Sequence, residues 1–78
     1  MPTVLRLDGY RLFFFSDEGS EPPHVHVERG GGVAKYWLKP FSMAYYRNMT
    51  FGELRSAGRL VEQHRDFLLK RWNDYFGR

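Results

Sequence analysis

The spacing of apolar residues changes once along the chain. From Thr3 to Leu38 apolar and polar positions alternate or cluster in short runs, and from Leu54 onward apolar residues recur at intervals of three and four. The first pattern suits strands and the second an amphipathic helix. Thr3-Val4-Leu5-Arg6-Leu7 and Tyr10-Arg11-Leu12-Phe13-Phe14-Phe15 read as two strands, joined by Asp8-Gly9. That dipeptide predicts a tight antiparallel hairpin, because the turn requires positive φ. Leu5 and Leu7 are expected to face Leu12 and Phe14 or their neighbours.

Ser16 through Pro23 is rich in Asp, Glu, Gly, Ser and Pro, which predicts a surface loop. Pro22 and Pro23 fix φ and deliver the chain to His24 in an extended form. In the strand His24-Val25-His26-Val27-Glu28, alternate side chains share a face. Val25 and Val27 are expected in the core, with His24, His26 and Glu28 outward. Gly30-Gly31-Gly32 allows a reversal, Val33 to Leu38 forms the next strand, and Pro40 ends it. Phe41 to Tyr46 suits either a short edge strand or a packed crossover.

Thr50-Phe51-Gly52-Glu53 is a capping box, with Met49 and Leu54 placed as a hydrophobic staple. At ~100° per residue, Leu54, Ala57, Leu60, Val61, His64, Phe67, Leu68, Trp72 and Tyr75 fall on one broad face. Arg55, Arg59, Glu62, Asp66, Lys70 and Asn73 fall on the other, and Gly77 suits a carboxy-terminal cap. The predicted fold is therefore α+β and a single domain over 1–78. It is an antiparallel four-stranded sheet, five-stranded if Phe41–Tyr46 pairs, covered on one face by a long C-terminal helix over about residues 51–76.

Composition narrows the function classes. The chain of 78 residues has no cysteine, which excludes disulfides and thiolate metal centres. Seven Phe, five Tyr and two Trp supply the apolar area that so small a core needs. No apolar run approaches the roughly 20 residues of a membrane span, and Met1-Pro2-Thr3 lacks the features of a signal peptide, so a cytoplasmic location is expected. Twelve Lys and Arg against nine acids leave a formal charge of +3 without a basic block. That balance permits an acidic or nucleic-acid partner without requiring one.

Two imidazoles on one strand face suit either proton transfer or metal ligation. His24 and His26 are the catalytic candidates, and with Glu28 they are also the candidates for a metal. A centre that includes His64 is disfavoured, since the helix phase sets that residue on the valine side. His64 is expected instead at the core edge with a hydrogen-bonded ring. The alternation resembles a fragment of the histidine-triad nucleotide-hydrolase motif, with Glu28 in place of a further histidine. The glycine run does not fit a P-loop, because it leads into a strand. Arg6, Arg11, Arg29 and Lys35, on the outward face or its rim beside Tyr10, Tyr36 or Trp37, are the candidates for binding a partner protein or RNA. No cofactor is called for.

Met1-Pro2-Thr3-Val4-Leu5-Arg6, Phe13-Phe14-Phe15-Ser16, Glu21-Pro22-Pro23-His24-Val25-His26-Val27, the glycines before Ala34-Lys35-Tyr36-Trp37-Leu38, and Trp72-Asn73-Asp74-Tyr75-Phe76-Gly77 together resemble the small bacterial proteins called domain of unknown function 4160. The resemblance implies a bacterial protein, often encoded beside a second small protein, in pairs suspected to be toxin–antitoxin modules. It names no reaction and assigns no catalytic residue. The expected role is thus a component of a two-protein module that binds its neighbour, and also RNA, through an open sheet face around His24, His26, Arg29 and Lys35. The alternative is a small metal-independent ribonuclease or hydrolase using His24 or His26, and self-assembly into a homo-oligomer is compatible with either.

Overall fold

A computed structural model describes residues 3–77; Met1-Pro2 of the family signature lies outside them. Strands β1 (Thr3–Leu7), β2 (Tyr10–Phe13), β3 (His24–Arg29), β4 (Gly32–Leu38) and β5 (Phe41–Arg47) precede helices α1 (Phe51–Gln63) and α2 (Arg65–Phe76). The sheet runs in chain order, β1-β2-β3-β4-β5, and every pairing is antiparallel. Asp8 and Gly9 both take positive φ, at 53° and 82°, as the tight hairpin requires. Leu5 lies opposite Leu12 and Leu7 opposite Tyr10.

The residues Phe41 to Arg47 form a full fifth strand at the sheet edge. Its register slips opposite Lys35 and Tyr36, so Met43 pairs with Tyr36, Tyr46 pairs with Ala34, and Ala44 is the extra residue. A bulge of this kind turns two non-alternating side chains to one face. Met43 and Tyr46 both stand on the side that carries Ala34 and Tyr36.

That side holds the core. Leu12, Val25, Val27, Ala34, Tyr36 and Leu38 pack under Leu54, Ala57, Leu60 and Val61 of α1 and Leu68 and Trp72 of α2. Thr50 and Glu53 form the reciprocal capping box, and Met49 and Leu54 are both buried. Gly77 closes α2 in the left-handed conformation at φ 73°.

The helical segment is two helices rather than one. His64 leaves helical geometry at φ −109°, ψ 18°, and both its backbone N–H and its ring Nδ1 engage the Leu60 carbonyl, at 3.1 and 2.9 Å. A side chain that competes for the i−4 carbonyl bends a helix. The neighbouring Arg65 guanidinium donates to the Leu38 carbonyl of β4 and fixes the new direction. The break shifts the phase, so Leu68 and Trp72 are buried, whereas Phe67 and Tyr75, expected on the same face, are exposed. Among the described residues no helix is long and apolar enough to cross a membrane.

Candidate functional site

β3 carries its valines to the helix side and its histidines to the opposite side, as the alternation requires. Yet His24 and His26 are not solvent-facing: their relative exposures are 0% and 5%. The reason is the preceding loop. After Phe14, the chain folds back over this end of the sheet, and Gly19 fits against Phe76 so closely that a Cβ there would meet its ring at 2.6 Å. Phe15 packs edge-on to His26 with centroids 4.7 Å apart, and Phe13 stacks on the same imidazole at 5.4 Å. His24 is enclosed by Trp37 and Trp72, at 5.5 and 4.8 Å.

The loop brings a carboxylate with it. Glu18 Oε2 and Oε1 lie 2.9 and 3.0 Å from His26 Nε2, which donates to them. The Phe15 backbone N–H also donates to Glu18 Oε1, at 3.0 Å. His24 places its Nδ1 3.0 Å from the Pro22 carbonyl oxygen. That atom can only accept, so Nδ1 holds the proton of the neutral ring and Nε2 presents a lone pair. His24 Nε2 is 2.9 Å from Glu18 Oε1, but off the line of a hydrogen bond, and finds no other partner among the described residues. One donor atom from each of Glu18, His24 and His26 falls within 4.8 Å of the others.

Burial pushes the Glu18 carboxyl upward, but its interactions with His26, His24 and the Phe15 N–H outweigh this, and it lies below the ordinary carboxylate range. Burial pulls His26 below the usual imidazole value, and the adjacent carboxylate opposes this without reversing it.

The remaining candidates are dispersed. Glu28 does not join the histidines; it takes Arg11 at 3.1 Å. Arg11 also donates to Thr3 Oγ1 at 2.8 Å and lies over the Phe13 ring. Lys35 pairs with Glu21 at 2.7 Å and covers the Trp37 ring. Arg29 follows Val25 and Val27 to the helix side, where it donates to the Asp8 carbonyl at 2.8 Å and stacks on Tyr10. It is therefore not on the histidine face, because residues two apart share a face and Arg29 is in phase with the valines. Arg6 is exposed on the outer strand β1. His64 is half-buried, with its ring bonded to Leu60 as expected.

Sequence reasoning missed Glu18. Asp17, Glu18 and Glu21 are three acids in one loop, and only the path of that loop decides which turns inward.

A second feature lies at the other end of the sheet. β5 is exposed along almost its whole length, and beside it a groove of about 480 Å³ is lined by Phe41, Met43, Tyr46, Phe51, Arg55 and Arg59. Met43, Tyr46 and Phe51 are 45%, 44% and 75% exposed, an unusual concentration of apolar side chains in water.

In comparisons with known proteins, one family model, described as a domain of unknown function (DUF4160), matches residues 9–73. No curated protein and no solved structure matches the chain.

Proposed function

The chain belongs to the family described as a domain of unknown function (DUF4160), and from its geometry we propose that it is the binding component of a two-protein, toxin–antitoxin-like module. It holds the small protein encoded by the neighbouring gene along β5 and the groove beside α1. The observation that carries this reading is the edge itself. Natural edge strands are usually short, charged, bulged inward or covered. β5 has the bulge at Ala44, yet it is seven residues long, with one charge at Arg47 and the exposed apolar side chains Met43, Tyr45 and Tyr46. Such an edge accepts an extended segment by strand addition, with main-chain hydrogen bonds giving affinity and side-chain pockets giving specificity.

The charge around the groove specifies the partner's chemistry. Arg55 and Arg59 line it and Glu62 is the one acid in its lining, so the segment that fits has apolar residues flanked by Asp or Glu. A protein is favoured over RNA because two of the cations expected to meet phosphate, Arg11 and Lys35, are engaged by Glu28 and Glu21. Burial of both imidazoles likewise favours binding over a hydrolase that needs His24 or His26 at the substrate.

The test is co-expression with the neighbouring gene product, followed by the mass of the purified complex. The M43K/Y46K double variant keeps its fold, since both side chains are exposed, and loses the complex. A complex indifferent to these changes overturns the proposal. So does a chain that ignores its neighbour while dimerising through β5 or binding RNA.

A further inference from the structure

Partner binding at β5 leaves unexplained a carboxylate and two imidazoles enclosed by aromatic rings at the other end of the sheet. We propose that Glu18, His24 and His26 bind one divalent transition-metal ion of the zinc type, which fastens the Phe14–Pro23 loop to β3.

The first support is an orphaned atom. His24 is fully buried, its Nδ1 is committed to the Pro22 carbonyl at 3.0 Å, and its Nε2 has no hydrogen-bond partner among the described residues. In the neutral ring, Nε2 and Glu18 Oε1, 2.9 Å apart, are two acceptors side by side. A cation bound to both removes that conflict.

The second support is spacing. Atoms ~2.1 Å from one ion stand ~3.0 Å apart at the right angles of a six-coordinate site and ~3.4 Å apart at tetrahedral angles, with the line between them ~45° or ~35° off each donor axis, so the donors open by up to ~0.5 Å for a tetrahedral ion. The two histidine Nε2 atoms lie 2.9 Å from Glu18 oxygens; the His24 contact is off the hydrogen-bond line, as a shared edge requires, whereas His26 meets the carboxylate through a hydrogen bond that the ion replaces. When the ion takes the place of the Nε2 proton, His26 remains a neutral imidazole by carrying its proton on Nδ1 instead.

The third support is what surrounds the donors. A metal-binding histidine characteristically donates its other ring nitrogen to a carbonyl or carboxylate, which His24 does at Pro22. Phe15 N–H holds the carboxylate at 3.0 Å. Phe13, Phe15, Trp37 and Trp72 surround the imidazoles. The nearby cation Lys35 is neutralised by Glu21 at 2.7 Å. Two nitrogens and one carboxylate select a borderline ion such as zinc over magnesium or calcium, which prefer all-oxygen shells.

The experiment uses the isolated full chain, so its outcome is independent of partner binding. Chelator-treated protein is dialysed against zinc and its metal counted, then zinc is replaced by cobalt for absorption spectroscopy. One ion per chain, a rise in Tm with zinc and ligand-field bands with cobalt are expected. Glu18→Gln, which preserves shape, weakens zinc at least tenfold, whereas His64→Gln leaves it unchanged. As a readout that needs no variant, zinc shifts the ring 15N resonances of His24 and His26 in the unaltered chain. The proposal is overturned by zinc bound at well under one ion per chain, by unchanged affinity in folded Glu18→Gln, or by ring shifts confined to His64.

Discussion

Replacing Glu18 by Ala tests whether one carboxylate holds the loop over the sheet. The side chain is 13% exposed and accepts from His26 Nε2 at 2.9 Å and from the Phe15 N–H at 3.0 Å. A hydrogen bond to a charged group contributes about 1.5–3 kcal/mol, and a buried donor stripped of its partner costs about 1–3 kcal/mol. The Phe15 N–H is near solvent and recovers a water, whereas His26 does not. Relief of the buried charge offsets part of the loss. The net cost is about 2–3 kcal/mol, which in a domain of this size lowers Tm by about 10–20 °C. Urea denaturation in the presence of a chelator, followed by tryptophan fluorescence, measures it without any contribution from metal. Asp17→Ala is the control, since Asp17 is exposed in the same loop and its loss costs about 0.5 kcal/mol or less. If Glu18→Ala costs no more than Asp17→Ala, the carboxylate does not hold the loop and its contacts to His26 carry no weight.

Stability in chelator should fall as pH drops from 7.5 to 5.5. His26 has a folded pKa below its ordinary 6.5, so the unfolded chain takes up a proton first. Its contribution is present above about 6.5 and is lost as pH falls through the folded value; denaturation curves that keep their midpoint across this range would contradict it. Gly32→Ala should destabilise by about 2 kcal/mol or more, because the new Cβ would lie 2.3 Å from the Asn48 carbonyl oxygen and 2.5 Å from Met49 Cγ. Gly52, whose nearest such neighbour is 3.8 Å away, is the comparison in the same urea series. Leu68→Ala should cost about 2–5 kcal/mol and Phe67→Ala under about 1 kcal/mol, since the first is fully buried and the second 44% exposed. Equal losses would show that the helix continues unbroken through His64.

Several elements needed only the sequence, because the interactions that define them span a few residues. The Asp8-Gly9 hairpin rests on the φ preferences of two residues. The capping box joins Thr50 to Glu53, and the αL cap depends on Gly77. The alternation of β3 likewise separated Val25 and Val27 from His24 and His26, and the helical period set His64 on the valine side.

Other features were decided by parts of the chain distant from one another. The strand pattern placed the histidines on a face, but their burial depended on a loop that packs on Phe76, and on Trp37 and Trp72, which enclose His24. That loop also chose Glu18 rather than Glu28 as their carboxylate, since Glu28 had a cross-strand partner in Arg11. β5 became a strand because β4 offered it a ladder, and its bulge turned Met43 and Tyr46 to one side. No proline or glycine marks the break at His64; Arg65 reaching Leu38 on β4 sets the angle there. Period and capping are properties of local backbone geometry, legible one segment at a time. Burial and pairing depend on which segments meet, and that is known only once the whole chain has closed.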